Sequence, residues 1–176
     1  MADTIYALSS GAPPAGIGVI RISGPRAGEA LSLMAGGLPP PRSPRLRILR
    51  NGEGDALDQA LVMWFAGPNT ATGEDLAEIH CHGGRAVVAA LLAALSSIDG
   101  LREAEPGEFT RRAFSNGRID LAEAEGLADL LSAETELQRR GALLAAGGDL
   151  SRQIEGWRNR VLGLAASIEA VIDFAD

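Results

Sequence analysis

The sequence predicts an α+β fold, with a mixed β-sheet and packed helices, followed by the start of an all-helical domain. Short apolar segments that alternate with period two recur before residue 119, and helical segments lie among them without a regular βαβ repeat. From residue 120 onward almost every residue is a helix former. The 176 residues, 46% of them hydrophobic, suit one ordinary domain with an appendage. We therefore expect two domains, residues 1–118 and residues 119–176.

The first two predicted strands are Thr4–Leu8 and Ile17–Ser23, and the Gly- and Pro-rich residues between them predict a loop. In the second strand Ile17, Val19 and Arg21 share one face, so a charged group ends an apolar row. Two interpretations of Arg21 are open: its side chain reaches water at the strand edge, or it contacts an anion.

A helix is predicted over residues 26–34, between the start signal Ser23-Gly24-Pro25 and the stop signal Gly36-Gly37. A proline-rich connector and a short apolar strand follow. The arginines of this stretch fit either the solvated face of a strand or contacts with phosphate, and they are Arg42, Arg45, Arg47 and Arg50. Asn51-Gly52 predicts a hairpin whose returning strand is Ala60–Phe65.

The densest chemistry of the sequence lies between residues 69 and 84. Turn-forming residues lead into a predicted strand, Leu76–His82, in which alternation separates two faces. Ala77, Ile79 and Cys81 form an apolar face, and the other face carries Leu76, Glu78, His80 and His82. Gly83-Gly84 then opens the backbone before a predicted helix over residues 85–98. A strand that ends in such a glycine turn is a candidate binding site.

Glu78 is flanked by apolar neighbours, so its burial is costly unless hydrogen-bond donors pair with it. The alternative is an ordinary carboxylate on a solvated strand face. Because Glu78, His80 and His82 project together, a zinc site is a further alternative, although the sequence signals no fourth ligand. Cys81 is the single cysteine, which excludes an intrachain disulfide, and we expect it to be a small buried residue of the strand.

The remaining elements become increasingly helical. A short strand over 101–104 and a helix over 110–116 precede two predicted capping boxes, Asp120 with Glu123 and Thr135 with Gln138. A final helix carries one apolar stripe, at Leu150, Ile154, Trp157, Val161, Leu164, Ile168 and Val171. Because nothing follows to cover this stripe, we expect the chain to be a fragment whose helices pack on further sequence, on a second copy, or on both.

Charge and composition limit the classes of partner. The net charge of −7 argues against broad attraction to nucleic acid, although a local basic patch remains compatible with it. All sixteen basic residues are arginine. The N-terminus lacks the pattern of a secretory signal and no apolar run reaches membrane-spanning length, so we expect a cytoplasmic protein without membrane contact.

Several segments together resemble the N-terminal part of the MnmE, or TrmE, family of tRNA modification GTPases. The matching segments run in order along essentially the whole chain, and no single one suffices. They are Asp3-Thr4-Ile5, residues 16–25 (GIGVIRISGP), Gly67-Pro68-Asn69, residues 72–75 (TGED), residues 78–84 (EIHCHGG), residues 105–110 (EPGEFT), Arg112-Ala113-Phe114, residues 116–121 (NGRIDL), Ala124-Glu125 and Ile172-Asp173-Phe174.

The resemblance implies that residues 1–118 bind a reduced folate and mediate homodimerisation. The folate, 5-formyl- or 5,10-methylene-tetrahydrofolate, serves that family as one-carbon donor for aminomethyl-type modification at C5 of the tRNA wobble uridine. It also implies partnership with tRNA and with the FAD-dependent protein MnmG, or GidA. The folate contacts carry over to Arg21, Glu78 and Arg118. At the third position the family usually has lysine, and arginine keeps the charge with a different geometry.

The resemblance implies that the family's GTP-binding domain, with its GTP, Mg²⁺ and K⁺, is inserted later in the helical domain. It also implies a functional cysteine near the far C-terminus, which is not Cys81. The sequence contains no Gly-x-x-x-x-Gly-Lys-[Ser/Thr] segment, so we expect no GTPase activity from these residues. Two other functions remain open: a ligand-free dimerisation scaffold, and a folate-dependent aminomethyl transferase of the glycine-cleavage type, whose other motifs are not seen.

Overall fold

The computed structural model describes residues 3–173 and divides the chain into two compact units, Met1–Arg118 and Ile119–Asp176. The first unit is built on one six-stranded sheet with spatial order β3-β4-β5-β2-β1-β6. Its strands are β1 (Thr4–Leu8), β2 (Ile17–Ser23), β3 (Arg45–Arg50), β4 (Ala56–Phe65), β5 (Leu76–His82) and β6 (Leu101–Glu103). Only β1 and β6 pair in parallel, so the predicted mixed sheet and α+β class are confirmed.

Helices α1 (Ala27–Ala35) and α2 (Arg85–Ser96) cover one face of the sheet, and α3 (Glu108–Ser115) completes the unit. The core between the sheet and the first two helices is built from fully buried aliphatic residues, among them Ile20, Ile79 and Leu91. A Cβ at Gly28 would lie 2.9 Å from the Trp64 ring, so only glycine lets α1 approach β4 this closely.

Two predicted starts of elements are wrong by two residues or more. β4 begins at Ala56 instead of Ala60, because the side-chain oxygen of Asn51 accepts the amide hydrogens of Glu53 and Asp55 and closes the hairpin loop early. α3 begins at Glu108 instead of 110, because the Glu108 carboxylate accepts the amide hydrogen of Glu105 at 2.9 Å and so closes the first turn.

The second unit contains α4 (Leu121–Ser132), α5 (Glu136–Ala146) and α6 (Asp149–Asp173). Both predicted capping boxes are present, at the starts of α4 and α5. The apolar stripe of α6 is exposed along its length, from Leu150 at 47% to Val171 at 71%. Phe174, at the end of the last matching segment, lies outside the described residues. No helix in residues 3–173 has both the length and the apolar character needed to cross a membrane.

Candidate functional site

The open face of the sheet, opposite α1 and α2, carries the polar residues singled out in β2 and β5. Alternation along β2 and β5 turns Ile20 and Ile79 into the core and therefore turns Arg21 and Glu78 to the open face. Arg21 and Glu78 are direct partners in the antiparallel register. Arg21 donates to Glu78 Oε1 from Nε at 3.2 Å and from Nη2 at 2.9 Å. The structure thus brings two of the three predicted site residues into contact.

His80 completes the surroundings of this carboxylate, with its Nε2 3.2 Å from Glu78 Oε2. The Glu78 side chain is 15% exposed. Burial acts to raise the pKa of Glu78, but the hydrogen bonds from Arg21 and His80 outweigh it, and the net shift is downward. Glu78 is therefore an ionised hydrogen-bond acceptor at neutral pH. A buried carboxylate requires hydrogen-bond donors, and here the protein itself supplies them. The donors are Arg21 and His80, whose side chains are only 30% and 29% exposed.

An aromatic ring supports Arg21 from the side of α3. The Arg21 Cζ lies 5.8 Å from the centroid of the Phe109 ring, within the range of a cation–π contact. Sequence reasoning assigned no role to Phe109, although it stands in the segment from Glu105 to Thr110. The proximity of Phe109 to Arg21 depends on how α3 packs in the first unit, which local patterns do not encode.

A network of ion pairs fixes α3 against the loop that precedes β5. Glu108 is 3% exposed and accepts hydrogen bonds from Arg102 and Arg112. The hydrogen bond from Arg102 is the largest cause that lowers the pKa of Glu108 to about 2. Arg112 also donates to Glu74 at 3.1 Å, and Glu74 accepts a hydrogen bond from the Ser23 hydroxyl at 2.8 Å. The network therefore joins α3, β2 and the loop over residues 69–75.

Arg118 lies beside the same loop and does not touch Glu78. The Asn116 amide donates to the Thr72 carbonyl at 2.7 Å, which holds the end of α3 on the loop. A Cβ at Gly73 would lie 3.2 Å from the Arg118 Cγ, so the stem of Arg118 packs directly on this glycine. The guanidinium is exposed and forms no ion pair within the described residues. It is available to an anion near the loop.

A cavity of about 190 Å³ lies next to Glu78. It lies between β4, β5 and the loop that joins them. Its lining includes Arg42, Phe65, Asn69, Thr70, Leu76 and Glu78. Phe65 received no role from the sequence, and Arg42 was grouped with three neighbouring arginines that do not line this cavity. The site therefore combines an ionised carboxylate with aromatic rings and flanking guanidinium groups.

The alternative of a metal site at Glu78, His80 and His82 is not supported by the side-chain positions. The ring Nδ1 of His82 is 2.7 Å from Asp58 Oδ1, and the His82 amide donates to Asp58 Oδ2 at 2.8 Å. His82 thus pairs with Asp58, whereas His80 pairs with Glu78. Across residues 3–173, no three His, Cys, Asp or Glu side chains are arranged to hold a metal ion. Cys81 is buried, as expected for a residue of the core face.

Comparison with protein families gives two matches that together cover most of the chain. Residues 4–118 match the family described as the N-terminus of the GTP-binding protein TrmE, and residues 121–176 match the MnmE helical domain. The boundary between the matches lies next to the division between the two structural units.

Comparison with individual proteins gives the same result. The chain is 67% identical to a tRNA modification GTPase MnmE of Novosphingobium aromaticivorans, over 100% of this chain and 40% of that protein. It is 64% identical to the proteins of the same name from Erythrobacter litoralis and Rhizorhabdus wittichii, over 99% of this chain and 41% and 40% of those proteins. The chain thus spans about two fifths of the length of these curated relatives.

Proposed function

The chain belongs to the MnmE family of tRNA modification GTPases, and on that premise we propose that its first unit binds a reduced folate. The ligand is 5-formyl- or 5,10-methylene-tetrahydrofolate, held as one-carbon donor for C5 modification of the tRNA wobble uridine. The proposed contacts are Glu78, Arg21 and Arg118. Glu78 accepts hydrogen bonds from the pterin ring system. The proposal extends to tRNA and the FAD-dependent protein MnmG as partners in the cytoplasm.

The observation that carries this proposal is the state of Glu78. Its carboxylate is ionised, half-buried and aimed onto the open face beside a cavity. A reduced pterin has adjacent N–H donors along one edge, and an ionised carboxylate is the acceptor that such an edge requires. The folate tail is anionic, and the guanidinium groups at the site supply the matching charge.

The hydrogen bonds around Glu78 allow a pterin to replace one of the present donors. A carboxylate has about four lone-pair positions, and Arg21 and His80 occupy three of them. Within the described residues, one position is therefore free. A pterin with two N–H donors needs two positions, so one of the present hydrogen bonds must be released. The contact with His80 is the one that can be released, because His80 approaches Oε2 singly, at 3.2 Å, whereas Arg21 holds Oε1 with two donors.

We propose in addition that the open face is covered by a second copy of the chain. Leu61 is the register partner of His80, and Leu46 is the register partner of Leu61, so all three share this face. Leu46 is 58% exposed, Ile48 49% and Leu61 38%. The folate site thus continues into an exposed apolar surface, which a homodimer would bury.

Calorimetric titration of the chain with 5-formyltetrahydrofolate tests the folate proposal. We expect measurable heat with a stoichiometry of one ligand per chain. A dimeric protein that gives no heat and shows no change in thermal stability with excess ligand would favour the ligand-free scaffold instead. The measurement of thermal stability is needed because bound ligand stabilises the folded state even where the binding enthalpy is small.

A further inference from the structure

The cavity next to Glu78 is lined by a half-buried acid and by an exposed base. Glu78 is 15% exposed, whereas Arg42 lies at the surface, in the connector before β3. The volume of about 190 Å³ is smaller than the 300 Å³ or more that is typical of sites for drug-sized ligands. Such a cavity suits one ring system, and the remainder of a longer ligand leaves it past its exposed rim.

The backbone of Arg42 is held in an unusual conformation. Its φ of 58° lies in the left-handed region, which a residue with a Cβ adopts only at a cost. The amide hydrogen of Arg42 is donated to the Trp64 carbonyl at 2.7 Å, at the end of β4. Held in this conformation, Arg42 contributes to the lining of the cavity.

The guanidinium of Arg42 is positioned and still largely free to bind. Its Cζ lies 5.8 Å from the Phe65 ring centroid, and its Nη2 donates to the Asn69 carbonyl. Within residues 3–173 the bond to Asn69 is the single hydrogen bond of the guanidinium, and no carboxylate pairs with the guanidinium. Most of its N–H donors therefore remain available for an anion at the rim of the cavity.

We propose that Arg42 binds the carboxylates of the folate glutamate tail and so makes the site selective for tailed folates over uncharged pterins. The inference rests on the proposed folate function and adds a specificity-determining residue to it. With the pterin edge at Glu78, the tail extends outward from the cavity, and Arg42 is the cation that lines its path. The planar guanidinium suits bidentate binding of a carboxylate.

The test compares two ligands that share the pterin ring and differ in tail charge. They are 5-formyltetrahydrofolate and its dimethyl ester, in which both tail carboxylates are neutral. Arg42→Gly removes the guanidinium and relieves the left-handed backbone, and Arg42→Gln removes the charge but keeps the Cβ and a polar side chain. Arg45→Ala is the matched control, because Arg45 is an exposed neighbour in β3 and its loss changes the net charge equally.

We expect both Arg42 variants to bind 5-formyltetrahydrofolate about tenfold more weakly than the parent. Affinity for the dimethyl ester should stay within about twofold of the parent value, because the ester gives Arg42 no charge to bind. Arg45→Ala should leave both affinities unchanged. This pattern would show that Arg42 binds the carboxylates of the folate tail.

Two results would overturn the inference while leaving the folate proposal intact. One is an equal loss of affinity for both ligands in the Arg42 variants, which would show that Arg42 only holds the loop through Asn69. The other is unchanged affinity for both ligands. A parent protein that binds neither ligand would overturn the folate proposal, and the inference with it.

Discussion

Arg21 donates two hydrogen bonds to one and the same oxygen of Glu78, Oε1, from the neighbouring strand. Within the part of the chain that the structure describes, the other oxygen, Oε2, has a hydrogen-bond contact with His80 alone. The two oxygens of the carboxylate therefore differ in their partners: Arg21 holds Oε1 from the neighbouring strand, and Oε2 is where we expect a ligand with N–H donors to bind. This asymmetry underlies the prediction for Glu78 below.

The ion-pair network around Glu108 should make stability depend on pH in the acid range. The folded-state pKa of Glu108 is about 2, below its ordinary value of 4.5. A group whose pKa is lowered by folding stabilises the protein fully above its ordinary pKa, and this contribution is lost as pH falls through the folded value. We expect the free energy of unfolding to fall between about pH 4.5 and about pH 2. Glu108→Gln should remove the part of this fall that comes from protonation of Glu108.

At neutral pH we expect Glu108→Gln to cost about 2 kcal/mol in the free energy of unfolding, since it leaves the Arg112 side chain, which is 13% exposed, with fewer partners. Urea unfolding at pH 7 and pH 3 measures both effects. Glu136→Gln is the control, because its ion pairs with Arg139 and Arg140 lie on an exposed helix surface. An equal cost at both pH values would show that the pKa of Glu108 is not shifted by folding.

We expect no GTP hydrolysis by this 176-residue chain. The phosphate-cradling segment Gly-x-x-x-x-Gly-Lys-[Ser/Thr] needs a lysine, and all sixteen basic residues of the sequence are arginine. Phosphate release by purified protein, with a mock purification as control, measures this. Turnover above the mock control that persists through a second purification step would contradict the prediction.

We expect a homodimer that forms through the open face of the first unit. Leu46→Glu should shift the equilibrium toward monomer by at least tenfold, because it places a charge in an apolar surface that dimerisation desolvates. Leu33→Glu is the control, since Leu33 is similarly exposed, at 63%, on helix α1 at the opposite face. Sedimentation at micromolar concentration measures both variants. A parent chain that is monomeric there would remove the basis of the prediction.

The sequence predicted elements better than contacts. The bounds of β2 and β5 follow from strict alternation, and the capping boxes of α4 and α5 are local patterns, so these predictions hold. The pairing of Arg21 with Glu78 joins positions 57 residues apart, and it depends on an antiparallel register that neither strand specifies alone. For the same reason the sequence did not reveal the roles of Phe109 and Arg112.

Arg42 illustrates a second limit of sequence reasoning. In the sequence it is one of four arginines in a basic stretch, with nothing to distinguish it from Arg45 or Arg47. The structure separates it from them by its left-handed backbone and its position over Phe65. Neither feature has a local signature, because a non-glycine residue adopts positive φ only where surrounding contacts enforce it.

Arg118 should contribute to folate affinity less than Glu78 does. Its guanidinium is exposed beside Gly73 and has no carboxylate partner within the described residues, so a hydrogen-bond acceptor of the ligand can reach it. We expect Arg118→Ala to weaken binding of 5-formyltetrahydrofolate about fivefold, and Arg118→Lys to be tolerated. Arg47→Ala, at another exposed arginine, is the control for net charge. Unchanged affinity in Arg118→Ala would remove this residue from the site.

Glu78→Gln is the sharpest test of the site. The substitution preserves size but replaces one acceptor oxygen with an NH₂ group. Because Arg21 requires an acceptor, the remaining oxygen should stay toward Arg21 and the NH₂ group should take the place of Oε2, where it faces the donors of the pterin. We expect a loss of about 2 kcal/mol in binding, roughly thirtyfold in affinity for 5-formyltetrahydrofolate. Asp58→Asn is the matched control, since it makes the same change in a carboxylate that pairs with His82. If Glu78→Gln remains folded and dimeric and binds as tightly as the parent, then Glu78 does not read the pterin, and the ligand lies elsewhere on the sheet.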